Sequence, residues 1–263
     1  MQYSDELAAS LAVDHASVDD SLQDLLRQTV QHVQAISNSR AKEHLIQGAS
    51  RRLKLLRRSM ANVFRLFPPQ QRRPLDAETI QDVEINLHVF VINLYGIFEN
   101  LAWAFVLRHE LESKLGNRNK VSLFLRELQD QLPTELREYL TSPTMLAWQR
   151  DYLKNYRDSL AHRIPLYIPP STFTPEEGEH FTRLDNESWE CIKNHNWERL
   201  EDIQRQQSQL GRACPAFLHL LSATDGSDRP IYLHPQMICD AKTVLEFMPL
   251  YLRHWHETAT SDL

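Results

Sequence analysis

The chain has 263 residues, a formal net charge of −6 and 24% charged residues. That length can bury one large core or two small ones. An acidic balance argues against a protein that coats nucleic acid indiscriminately. Six glycines beside abundant Leu, Gln, Arg and Glu point to a mainly α protein.

Residues 1–39 carry six Asp or Glu against Arg27 alone, and read as an acidic lead-in. A helix is expected over 20–36, with the first fifteen or so residues mobile. No apolar signal core is visible there. Residues 40–73 reverse the sign, with ten Lys or Arg against Glu43. Leu45, Ala49, Leu53, Leu56, Met60, Val63 and Phe67 recur at helical spacing, while Arg51, Lys54, Arg58 and Arg65 project together on the opposite face. This basic ridge suits a phosphate backbone, or the acidic N-terminal stretch of the same chain. Pro68 and Pro69 end the helix.

Asp76 reads as the N-cap of a long helix reaching about Leu115, with Gly116 as its stop. Its window from Leu87 to Leu107 is apolar on nearly every face but contains His88, Asn93, Glu99 and Asn100. A central bundle helix explains that mixture better than a membrane span. Asn93, Gly96, Asn100 and Trp103 share one stripe, with Glu99 beside it, and a buried Glu needs partners. Shorter helices are expected over 118–131 and 134–140, then a motif helix from about Thr144 to Arg163. Its apolar face is Leu146, Tyr152, Leu153, Tyr156 and Leu160.

That helix ends in Asn155-Tyr156-Arg157-Asp158-Ser159-Leu160-Ala161-His162-Arg163-Ile164-Pro165. Pro165 disfavours helical geometry at Ile164, so the stop falls near Arg163. His162 then sits in the last turn, where the carbonyl end and Asp158 four residues back favour a protonated imidazole and predict a raised pKa. Arg157 lies roughly 140° away around the helix, so sharing a site with His162 needs an unwound end or a second chain.

The remainder reads as an extended crossing from Ile164 to Pro175, then a helical stretch to Gln209 anchored by Trp189, Ile192, Trp197, Leu200 and Ile203. Ala216–Leu221 and Ile231–Leu233 flank Asp225-Gly226-Ser227-Asp228 as a hairpin. A last helix runs from about Pro235 to His256. Cys191, Cys214 and Cys239 show no paired spacing, so free thiols and a cytoplasmic location are expected. Cys191 and His195 are too few for a metal site. No phosphate loop or nucleophile elbow is present, and neither metal nor cofactor is expected.

An arginine, a polar residue, three more residues and a histidine, here Arg157, Asp158 and His162, resemble the signature of the HEPN superfamily. The likeness covers about residues 80–165, with the longer Asn155–Pro165 context its closest part. It implies a HEPN-like helical bundle over 40–165 and a homodimer that brings two Arg–His pairs together, while 166–263 reads from its own pattern as a helix–hairpin–helix extension packed on the same bundle. The implied activity is metal-independent endonucleolytic cleavage of RNA, in which the 2′-OH attacks its phosphate and leaves a 2′,3′-cyclic end. His162 would be general acid or base, Arg157 would stabilise phosphoryl charge, and Asp158 would orient the imidazole. A carboxylate so close repels phosphate unless it is paired. Glu99 and Asn100 are supporting candidates, and Arg51, Lys54, Arg58 and Arg65 are candidates for RNA contact. The alternative is a non-catalytic module binding nucleotide, RNA or protein, and a regulatory protein partner is compatible with either reading. A membrane partner is not expected.

Overall fold

The computed structural model describes residues 2–34, 36–218 and 230–256. Helix α1 spans Asp5–Gln34, α2 spans Ser39–Glu43, and a π-helical segment His44–Ser50 joins α2 to α3, Arg51–Leu66. Helix α4 runs Ala77–Arg108, followed by the short α5 (Glu112–Leu115), α6 (Arg126–Gln129) and α7 (Thr134–Thr141). A continuous rod then combines α8 (Pro143–Ala147), a second π-helical segment (Trp148–Leu153) and α9 (Lys154–His162). Helices α10 (Pro175–Lys193) and α11 (Trp197–Gln207) form a hairpin, and α12 covers Leu233–Arg253. The only paired strands among the described residues are β1 (Ala216–Phe217) and β2 (Ile231–Tyr232), antiparallel to each other. The protein is thus mainly α with a small β pair. The expected turn at 225–228 lies outside the described residues.

The acidic stretch is no loose lead-in. Helix α1 starts at Asp5 and buries Ala8, Leu11, Val18, Leu22 and Leu25 against α12 and α3. One continuous core therefore extends from Tyr3 to Trp255. The basic stretch does pair with α1, through Arg57 to Asp19 at 2.7 and 2.8 Å and Arg72 to Asp5, but none of the four ridge residues takes part among the described residues.

All seven stripe residues of 40–73 are buried. Ala41, Leu45, Ala49 and Leu53 follow in steps of four, which would drift about 40° per step around a regular α-helix. The π segment adds a residue per turn and keeps them on one line. The second π segment acts likewise in the motif rod, where Met145 is buried and Leu146 faces out.

Asp76 caps α4 as expected, accepting from the Thr79 N–H and hydroxyl at 2.8 and 2.7 Å. Helix α4 ends earlier than expected, because Glu110 takes a left-handed backbone (φ 55°). Gly116 (φ 67°) closes α5 instead. By length and composition α4 could cross a membrane, yet 67% of its most apolar window is buried inside the bundle.

The hairpin of α10 and α11 keeps its own small core of Leu184, Cys191 and Ile203. Trp189 and Trp197, expected as anchors, are 59% and 55% exposed, and Ile192 is exposed too. A two-helix hairpin buries a single seam, and these three residues fall outside it.

Two buried polar hubs close the bundle. His234 is held neutral because burial pushes its pKa down to about 4. Its Nε2–H donates to the Phe67 carbonyl at 2.6 Å, so Nδ1 accepts from the Tyr3 hydroxyl at 3.2 Å. The second hub is Asp240, fully buried on α12. It accepts from Trp148 Nε1 (2.9 Å), Gln236 Nε2 (2.9 Å) and the Tyr152 hydroxyl (2.5 Å).

Burial pushes the Asp240 carboxyl up to about 6, against the opposing pull of those three donors. Folded protein then holds a proton that the unfolded chain releases between about pH 4 and 6. Stability therefore falls as pH rises through that window and levels off above it. A shift of this size corresponds to roughly 3 kcal/mol. Asp240→Asn keeps an acceptor for Trp148 and Gln236 and should remove this slope. Urea unfolding at pH 4 and pH 7 should show the wild type losing about that much relative to the variant.

Candidate functional site

The motif rod starts at Ser142, whose side chain accepts from the Met145 N–H, with Pro143 in the first turn. It stops where expected, with Arg163 leaving helical geometry while its N–H still reaches the Ser159 carbonyl. The rear of the rod is fixed by the Asp240 bonds to Trp148 and Tyr152. Tyr152 packs edge-on against Tyr156 (4.3 Å), and Tyr156 packs against Phe217 (5.6 Å). The front carries the motif.

Arg157 and Asp158 are brought together, and His162 is not joined to either. The Arg157 guanidinium lies 4.3 Å from the Tyr95 ring centroid and 2.9 Å from an Asp158 carboxylate oxygen. Lys154 holds the other Asp158 oxygen at 2.7 Å. The expected hold of Asp158 on the His162 imidazole is therefore replaced by two cations on its own helix. The reason is geometric: Lys154 reaches Asp158 from one turn back, and Arg157 folds over from the adjacent position. His162 and Arg163 are exposed, and His162 makes no hydrogen bond or ion pair among the described residues.

Glu99, half-buried on α4, lies within the electrostatic reach of Arg157 without forming an ion pair with it among the described residues. Burial pushes its carboxyl up, opposed by the Arg157 charge, the Tyr95 hydroxyl and the Arg52 charge. Tyr95 is likewise raised, by burial first and by Glu99 second. Sequence reasoning misses Arg52, which counts there only among the basic residues of 40–73. Its side chain crosses α4 over Gly96, where a Cβ would stand 2.5 Å from the guanidinium carbon. It donates to Asn100 Oδ1 (3.0 Å) and Asn93 Oδ1 (3.4 Å). Asn100 then donates from Nδ2 to His44 Nδ1 at 3.3 Å, and His44 stacks on Trp103 at 6.0 Å. The stripe Asn93, Gly96, Asn100 and Trp103 thus carries one continuous polar belt with Arg52 and His44. The signal for Arg52 is Gly96, a gap in an otherwise bulky helix.

Arg51, Lys54, Arg58 and Arg65 are all exposed on α3, without a hydrogen bond or ion pair among the described residues. Lys54 and Arg58 border a cavity of about 330 Å³ between α1 and α3. None of the four bonds to Arg157, Asp158 or His162. Among the described residues no group of three or more His, Cys, Asp or Glu is placed to hold a metal ion.

Comparison with protein-family models, with curated protein sequences and with solved structures gives no match to this chain.

Gly96→Ala should expel Arg52 from its groove. Alanine improves helix propensity by about 1 kcal/mol, while the broken bonds to a charged donor cost roughly 1.5–3 kcal/mol each. Denaturant unfolding should show net destabilisation of about 2–5 kcal/mol if both bonds are lost. In Arg52→Ala the same glycine substitution should instead be neutral or stabilising, since nothing remains to be expelled.

Proposed function

We propose that this chain is a HEPN-like, metal-independent endoribonuclease that works as a homodimer. The observation that carries the proposal is the state of the motif. Arg157 is oriented by Tyr95 and Asp158, while His162 stands exposed at the helix end without a hydrogen bond or ion pair among the described residues. A group that must exchange a proton with substrate needs that freedom, and a group that stabilises charge needs a fixed position. The pairing of Asp158 with Lys154 and Arg157 also answers its repulsion of phosphate. In the proposed reaction the 2′-OH gives its proton to a base as its oxygen attacks the adjacent phosphorus, the P–O5′ bond breaks, and the leaving 5′-oxygen takes a proton, with no net proton consumed. His162 serves that proton transfer, Arg157 stabilises the phosphoryl oxygens, and a second protomer supplies the other Arg–His pair. The exposed cations of α3 provide a contact for RNA phosphates away from the motif.

A second reading is favoured by one specific feature. Arg157 is already satisfied by the Tyr95 ring and the Asp158 carboxylate, as it would be in a non-catalytic module that binds RNA or protein. Wild type and His162→Ala should be incubated in EDTA with labelled single-stranded RNA and a tRNA pool. The nuclease reading expects cleavage ending in cyclic phosphate that the variant loses by at least a hundredfold, with its fold and dimerisation intact. No cleavage by a folded, dimeric wild type would move the assignment to the binding module. In either case, neutralising Arg51, Lys54, Arg58 and Arg65 to Gln should lower RNA affinity. It should also flatten the salt dependence by about 0.7 for each phosphate that is no longer neutralised.

A further inference from the structure

The polar belt of α4 ends at a cavity of about 330 Å³ walled by Arg40, His44, Trp103 and Arg118. Trp103 and Arg118 also border a smaller recess of about 120 Å³. The donors in the larger cavity can be assigned from their bonds. Asn100 Oδ1 accepts from Arg52 Nε, which fixes the amide so that Nδ2 points at His44. Nδ1 of His44 is then the acceptor, and Nε2 carries the proton. Burial lowers the His44 pKa, so at neutral pH the ring offers an N–H rather than a charge.

Arg118 is exposed and has no hydrogen bond or ion pair among the described residues. Its guanidinium carbon is 5.8 Å from the Trp103 ring centroid, near the outer limit of cation–π range. Arg40 gives Nη1 and Nη2 to Glu112 at 3.0 and 3.2 Å, which leaves its Nε–H unused. None of the four walls is a carboxylate, and Glu112 is already paired with Arg40. A small cavity lined by one unpaired guanidinium, two further N–H donors and an indole matches an anion attached to a flat ring.

We propose that this cavity binds a small phosphate monoester bearing a planar ring, with the phosphate on Arg118 and His44 Nε2–H and the ring against Trp103. The volume is that of a compact ligand site. Arg118 supplies a charge-assisted donor, and the indole supplies a stacking face. This site is separate from His162 and does not depend on the nuclease reading.

Calorimetric titration of the full chain at pH 7 with inorganic phosphate, phenyl phosphate and adenosine 5′-monophosphate tests the proposal. Both ring-bearing esters should bind at least tenfold more tightly than inorganic phosphate. Arg118→Ala should weaken them by roughly ten- to a hundredfold with unchanged thermal unfolding, and Arg118→Lys should recover part of the loss. Trp103→Leu should reduce the two esters to the level of inorganic phosphate. Absence of binding to millimolar concentration, or equal binding by Arg118→Ala, overturns the site. Equal affinity for phosphate and the esters overturns the role of the ring. Loss of ester binding in His162→Ala would place the ligand at the motif helix and overturn the assignment as well.

Discussion

A helix of 32 residues that is apolar on nearly every side has to be covered on every side. Helix α4 imposes that demand, and the rest of the bundle meets it. Helix α3 lies along one flank, the motif rod along another, and α12 closes the bundle with α1. Phe90, Leu94, Ile97, Leu101 and Phe105 are all buried as a result. The few polar groups on α4 must then find partners inside the bundle or at its margin. Asn93, Glu99 and Asn100 do so with Arg52, Tyr95, Arg157 and His44, and that search for partners creates the polar belt.

Helix α4 also ties the motif to the core. Tyr95 of α4 holds the Arg157 guanidinium from the front, while Asp240 holds the same rod from behind through Trp148 and Tyr152. Arg157 is therefore positioned by two rigid elements rather than by a loop, as an exacting site requires. His162 lies one turn beyond the last of these contacts, at the exposed end of the helix. Rigidity at the arginine and freedom at the histidine follow from where the packing stops.

Features of the chain are legible in its sequence where local physics decides them. Asp76 caps because its side chain reaches the Thr79 N–H three residues on, a contact that needs nothing distant. The α3 stripe and its opposing basic ridge follow from helical spacing alone. The steps of four from Ala41 to Leu53 also announce an under-wound helix, a signal easily read as ordinary α periodicity. Trp189 and Trp197 mislead because apolar character does not say whether anything lies opposite. At Asp158 several cations are within reach, and spacing does not choose among them.

The sequence by itself determined the fold class, the central place of α4, the end of the motif helix at Arg163 and the exposed cationic face of α3. Each depends on neighbours within a turn or two, or on a periodicity that persists over many residues. Only the tertiary structure decided that α1 belongs to the core, that Arg52 crosses Gly96, and that Asp240 braces the motif rod. It also decided that Arg40, His44, Trp103 and Arg118 wall one cavity. The Arg52 and Asp240 contacts join residues 48 and 92 positions apart, and pairing at such separations depends on how whole helices pack rather than on any local pattern.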